Sequence, residues 1–120
     1  MTALTFALAA LAGGAGAALR YLVDAGVGRM LGTRFPWGIL VVNVTGSLVL
    51  GLVVGTLPAA AFIVGAGLLG GYTTFSTAML DALVLWQDGR RPASLGYLLG
   101  TFGASVVAVL VGLALGLALS

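Results

Sequence analysis

The sequence predicts an all-α membrane protein with four transmembrane helices. Of its 120 residues, 61 % are hydrophobic and only 7 % are charged, and the mean hydropathy is +1.22. A soluble domain carries about a quarter charged residues, so this balance indicates a membrane protein. A spanning helix needs about 20 mostly apolar residues. The chain accommodates four, and we predict a single membrane domain over residues 1–120 with spans at about 2–23, 36–57, 59–86 and 93–119.

The first two spans have recognisable ends. Arg20 and Tyr21 lie near the end of the first span, and residues 24–35 are predicted to form an interfacial helix end and a loop. Pro36 and Trp37 open the second span, because proline suits a first helical turn and tryptophan suits the membrane interface. Arg20 is either drawn into the membrane for a functional reason or reaches the interface along its own side chain.

The third span follows a short turn at Pro58 and contains the most unusual stretch of the chain. Residues 65–81, GAGLLGGYTTFSTAMLD, hold four glycines and five hydroxyl residues within a hydrophobic run. Irregular backbone at membrane depth occurs where protein buries it or water lines it, and broken helices often present backbone groups to an ion. We therefore predict that the third helix breaks near residues 70–74, with an ion close to the break.

The fourth span follows a polar turn at residues 87–92 and carries a ladder of hydroxyls. Tyr97, Thr101 and Ser105 are spaced by four residues, so they share one helix face and rise about 6 Å per step. These hydroxyls either bond back to carbonyls of their own helix or form a neutral donor track for a small anion. A proton-coupled antiporter would instead need a carboxylate in mid-membrane.

Two further side chains in the spans have both a structural and a functional interpretation. Asn43 lies in the middle of the second span, where its amide either bonds to a neighbouring helix or faces a permeant species. Phe75 follows the predicted break, where it either packs or offers its partly positive ring edge to an anion.

The composition argues against an enzyme and against nucleic-acid binding. The chain has no histidine and no cysteine, which removes the usual general base and the thiol nucleophile. No pair of buried acids is present in the spans, and the five positive residues, all arginine, form no basic patch.

Small residues and arginines also follow patterns. Small residues recur at every fourth position in the second and fourth spans, which indicates close helix packing within a subunit or between subunits. We favour an oligomer, because four helices alone do not easily enclose a pore.

The two loops that four spans place on one side carry Arg29, Arg34, Arg90 and Arg91, and the opposite side carries no Lys or Arg. The positive-inside rule then predicts that both termini lie outside.

Four stretches together resemble one known family. They are GGAGAALRY, VVNVTGS, GGYTTFST and Tyr97 with its following hydroxyls, at residues 13–21, 41–47, 70–77 and 97–105. In order and spacing the whole chain resembles the small bacterial fluoride channels, called Fluc or CrcB. The GGYTTFST string is the most specific part of the resemblance.

The resemblance implies a fluoride-selective channel of the bacterial plasma membrane, built as an antiparallel (inverted) dimer with two pores. It also implies a structural sodium ion, not transported, held at the dimer centre by backbone carbonyls that correspond here to Gly70 and Thr73. Phe75 corresponds to the first of two pore phenylalanines. The polar track of the family corresponds to Asn43, Ser76, Thr77, Tyr97, Thr101 and Ser105.

The chain departs from the family pattern at three positions. Ala78 stands where the second pore phenylalanine is usual, Ile39 replaces a common threonine, and Asp81 replaces a common glutamate. Dual-orientation homodimers should show little arginine bias, whereas some family members pair two related subunits of fixed orientation. The choice between a homodimer and a heterodimer therefore stays open.

The predicted function is passive export of cytoplasmic fluoride, which lowers its toxicity. One alternative is a non-conducting or weakly conducting subunit of a heterodimeric fluoride channel. A remote alternative is a small four-helix multidrug exporter, but such proteins rely on an acid within the first span, and residues 2–23 contain none.

Overall fold

The computed structural model describes residues 2–120, and every regular element in this range is helical. Four stretches are long and apolar enough to cross a membrane: Ala3–Leu31, Trp37–Thr56, Pro58–Gln87 and Arg91–Leu119. The predicted all-α fold with four spans is therefore confirmed. We call the first, second and fourth of these stretches α1, α2 and α5, because the third is divided.

The helix α1 extends beyond its predicted span and continues to Leu31. Its first turn is capped by Thr2, whose Oγ1 accepts a hydrogen bond from the Thr5 amide at 3.1 Å. Gly32 follows the last helical residue; it has a φ of 81°, and its amide donates to the Gly28 carbonyl at 2.9 Å. A residue with a side chain rarely adopts this φ, so glycine suits the end of the helix.

The third span is broken, as the sequence predicts. It begins as a 3₁₀ turn (Pro58–Ala60), widens into a π-helix (Ala61–Leu69) and closes with the short helix α3 (Gly70–Tyr72). Residues 73–75 are not helical, and we call them the break; Thr73 has extended backbone angles (φ −78°, ψ 158°). The helix α4 (Ser76–Gln87) completes the span. The π-helix was not predicted, because the hydrophobic pattern does not distinguish it from an α-helix.

Close glycine contacts hold α2 against α5. A methyl group at Gly51 would overlap the backbone of Val109, and one at Gly112 would overlap the Leu48 carbonyl. The small-residue pattern in the second half of α5 therefore serves packing within one subunit. Gly96 and Gly100, in its first half, have no neighbouring atoms within 4 Å of such a methyl group and lie on the exposed surface.

The remaining contacts position the break. Gly13 and Gly16 of α1 allow it to lie directly against Gly71 and Leu68, and a methyl group at Gly16 would overlap the Leu68 carbonyl. A buried apolar cluster joins α2, α4 and α5 beyond the break. Its members are Ile39, Ala78, Ala82, Leu85 and Tyr97.

The two arginine-bearing loops meet at one end of the molecule. The Arg90 guanidinium donates to the Arg34 carbonyl, so the loop after α1 contacts the loop after α4. Close by, the buried Ser94 hydroxyl donates to the Ala82 carbonyl at 2.7 Å and attaches the start of α5 to α4. This arrangement agrees with the alternation of sides that four spans require.

Candidate functional site

Asn43 fastens α2 to the break. Its Nδ2 donates to the Thr74 carbonyl at 2.9 Å, and its Oδ1 accepts from the Thr74 amide at 2.8 Å. Both residues are buried, Asn43 with 6 % and Thr74 with 9 % of its surface exposed. The side-chain amide thus replaces the two backbone partners that Thr74 would have in a continuous helix. Of the two interpretations from the sequence, the structure shows the bond to a neighbouring span, and one Nδ2 hydrogen is still available to another acceptor.

This bonding pattern releases two carbonyls at the break. In a continuous helix the Thr74 amide would bond to the Gly70 carbonyl, and the Thr77 amide would bond to the Thr73 carbonyl. Instead, Asn43 Oδ1 takes the Thr74 amide, and Thr74 Oγ1 takes the Thr77 amide at 3.1 Å. The carbonyls of Gly70 and Thr73 therefore lose their helical partners, and these are the two that the resemblance assigns to a sodium ion.

A cavity of about 290 Å³ opens beside the break. Asn43, Phe75 and Ser105 line it together with Gly70 and Thr73, so five of the residues singled out in the sequence meet there. The rest of its lining is Gly46, Ser47, Leu50, Gly65, Leu69, Thr74 and Phe102.

The hydroxyl ladder of α5 is buried and lacks partners. Tyr97 and Thr101 are fully buried, and the hydroxyls of Tyr97, Thr101 and Ser105 make no hydrogen bond of normal length and angle to any described residue. The side chains nearest to the Tyr97 hydroxyl are those of Thr101 and Asp81. The alternative that Thr101 and Ser105 bond back to their own helix is therefore wrong. An unpaired buried hydroxyl costs about 1–3 kcal/mol of folding free energy. Three of them on one helix face therefore destabilise the protein unless a ligand or water forms hydrogen bonds with them.

Phe75 lines the cavity but is largely exposed, whereas three further predicted site residues do not line it. Phe75 is 67 % exposed and contacts Phe102, with ring centroids 5.3 Å apart. Ser76 is exposed at the start of α4 and Thr77 is half-buried; neither lines the cavity. Arg20 is half-buried on α1 and is also absent from the cavity lining.

A larger cavity, about 420 Å³, lies at the arginine-loop end. Asp24, Arg29 and Asp81 line this cavity, which we call the charged mouth. By contrast, the four buried polar residues among those described are all neutral. Phe35 also lines this cavity, and its ring meets the Tyr97 ring edge to face at 5.5 Å and 88°. Phe35 therefore lies between the charged mouth and the first residue of the hydroxyl ladder.

Sequence reasoning missed the roles of three residues. The sequence shows Thr74 only as one of several hydroxyls, although a threonine that can accept from the amide three residues further on is a capping signal at a helix start. Phe35 and Phe102 were not singled out. No local pattern distinguishes these phenylalanines from packing residues, because their importance comes from partners on other helices.

The structure is that of a small multi-pass membrane protein, with four helical stretches long enough to cross a membrane and a break in the third. Comparison with known proteins then gives the family. Residues 7–113 match the family described as CrcB-like protein, Camphor Resistance (CrcB). The chain belongs to this family, and the resemblance found in its sequence is confirmed.

Curated relatives match the chain over most of its length. A protein named fluoride-specific ion channel FluC from Nitrobacter winogradskyi is 47 % identical over 118 residues, which cover 91 % of this chain and 93 % of the relative. A protein of the same name from Chelativorans sp. is 43 % identical over 113 residues, covering 88 % of this chain and 90 % of the relative. A third, from Rhizobium meliloti, is 44 % identical over 112 residues, covering 87 % and 90 %.

Proposed function

We propose that this chain forms a fluoride-selective channel that passively exports fluoride across the bacterial plasma membrane. The observation that carries the proposal is the ladder of three buried hydroxyls without protein partners, next to a cavity that holds Asn43 and Phe75. The family and the names of its relatives support the same conclusion.

The chemistry of the ladder suits a small, strongly hydrated anion. Hydroxyl and amide hydrogens replace the water that the ion gives up, and the ring edge of Phe75 adds a weak positive contact. None of these groups is charged, so the ion is not held too tightly to leave. Successive ladder residues rise about 6 Å along the helix axis, so that the ion could exchange one donor for the next.

The membrane potential supplies the driving force. A unit anion leaving a negative interior gains about 2.3 kcal/mol per 100 mV. Hydrogen fluoride enters from acidic surroundings as a neutral molecule, ionises in the cytoplasm and is trapped as fluoride, so a passive outward path is sufficient to lower its concentration. No covalent step is required.

Fluoride efflux from liposomes tests this function. Liposomes that contain only this purified chain and are loaded with potassium fluoride should release fluoride rapidly when valinomycin is added, as read by a fluoride electrode. Liposomes loaded with potassium chloride are the control and should release little chloride. Equal release of both ions would contradict a selective channel.

One result would favour the alternative of a weakly conducting subunit. If well-folded protein releases no fluoride alone but does so after co-expression with a related subunit, the pore requires a heterodimer. The arginine bias between the two sides and the alanine at position 78 support that alternative. If neither preparation released fluoride, the proposed function would be overturned.

We also propose a structural sodium ion at the break. The carbonyls of Gly70 and Thr73 are free of their helical amides and both border the cavity, and neutral oxygens of this kind are hard ligands for such a cation. Two carbonyls from one chain do not complete a coordination shell. An oppositely oriented second subunit would supply two more, and the ion would then stabilise the dimer.

Removal of sodium is expected to lower the thermal stability of the protein. A ligand at a hundredfold excess over its dissociation constant stabilises the state that binds it by about 2.7 kcal/mol. The melting temperature in detergent should therefore fall when sodium chloride is replaced by the chloride of N-methylglucamine or potassium at equal ionic strength. The same melting temperature in all three salts would contradict the sodium site.

A further inference from the structure

Phe102 lines the cavity, but the proposed function assigns it no role. It follows Thr101 on α5 and is half-buried. Its ring centroid lies 5.3 Å from that of Phe75, with 35° between the ring planes, and both rings line the cavity beside Asn43 and Ser105. An aromatic pair therefore borders the same space as two groups of the polar pathway.

The geometry of this pair leaves its ring edges unused. Phe35 and Tyr97 meet at 88°, so the edge of one ring is directed at the face of the other. The planes of Phe75 and Phe102 are closer to parallel, at 35°, so neither ring directs its edge at the face of the other. Since both residues also line the cavity, their partly positive ring edges are candidate contacts for an anion there.

The two aromatic rings of the cavity lining come from different parts of the chain, the break and α5. One turn after Phe75, α4 carries Ala78, which is fully buried in the cluster that contains Tyr97, and Phe102 packs against that cluster. The break thus contributes one ring to the cavity lining, that of Phe75, and α5 contributes the other, that of Phe102. We propose that Phe102 lines the anion pathway, and that its ring edge contacts the ion together with Phe75. This inference rests on the proposed fluoride channel.

Leucine at position 102 tests the inference. Phe102→Leu keeps an apolar side chain of similar length but removes the ring. We expect fluoride efflux from liposomes to become about tenfold slower, which is about 1.4 kcal/mol in the barrier. Phe102→Tyr keeps the ring and should retain most of the efflux. Both proteins are first compared with the unsubstituted chain for monodispersity in detergent.

Phe62→Leu is the matched control. Phe62 forms an aromatic pair with Phe6, at 5.7 Å and 86°, in the π-helix, and it does not line the cavity. This variant should conduct like the unsubstituted chain. Efflux that is unchanged in Phe102→Leu, or equally slow in Phe62→Leu, would overturn the role of Phe102 while the fluoride channel stands. If the unsubstituted chain released no fluoride, either alone or with a related subunit, the proposed function would be overturned and this inference with it.

Discussion

Asn43→Leu is expected to abolish fluoride efflux and to destabilise the protein. Leucine has a similar size but makes no hydrogen bond, so the amide and the carbonyl of Thr74 both lose their buried partner. Each unpaired buried group costs about 1–3 kcal/mol, so the free energy of unfolding should fall by about 2–6 kcal/mol. Efflux should stop because the break, and with it the position of the cavity lining, depends on this contact.

The measurement combines thermal unfolding in detergent with efflux from liposomes. Thr56→Val is the matched control, since it also replaces a polar side chain of α2 by an apolar one. The Thr56 hydroxyl bonds only to the Leu52 carbonyl of its own helix, at 2.6 Å, and lies away from the break. This variant should leave efflux unchanged. An Asn43→Leu protein that conducts normally would contradict the importance of the contact.

Asn43→Asp gives the same contact a dependence on pH. A protonated carboxyl group can donate to the Thr74 carbonyl and accept from its amide, as the asparagine does, whereas a carboxylate can only accept. Folding therefore favours the protonated form of the new carboxyl group. The variant should be most stable at acidic pH and lose stability as the pH rises and the carboxyl group ionises. A melting temperature that shifts with pH no more than that of the unsubstituted chain would count against this geometry.

Thr101→Val is expected to change stability and activity in opposite directions. Valine has nearly the same shape as threonine, and the Thr101 hydroxyl is fully buried without a protein partner. Its removal relieves an unpaired polar group, so the free energy of unfolding should rise by about 1 kcal/mol or more. Fluoride efflux should fall at least about tenfold, the factor that 1.4 kcal/mol in the barrier produces, because the middle donor of the ladder is lost.

Extending the change to the whole ladder strengthens the test. Tyr97→Phe and Ser105→Ala each remove one of the other two unpaired hydroxyls, so the triple variant should be the most stable and the least active of the series. Thr56→Val again serves as the control, because its hydroxyl is paired and its loss should not stabilise the protein. If Thr101→Val proves less stable than the unsubstituted chain, its hydroxyl has a protein partner and the ladder is not an ion pathway.

Much of this protein could be predicted because its main signals are local. Apolar length sets the four spans, and glycines with hydroxyl residues in residues 65–81 indicate the break. The spacing of Tyr97, Thr101 and Ser105 places three hydroxyls on one helix face, whatever surrounds that face. The specific GGYTTFST string gave the family, which the comparisons confirm.

Only the tertiary structure decided which groups meet. Asn43 and Thr74 lie 31 residues apart, and Phe75 contacts a ring on another helix; nothing local encodes either pair. The release of the Gly70 and Thr73 carbonyls follows from the Asn43 contact, so it became visible only once α2 was packed against the break. Apolar length and helix periodicity belong to a segment of chain and can be read along it. The partner of a buried polar group depends instead on how separate segments pack, and that packing decided which hydroxyls of this protein stay unpaired.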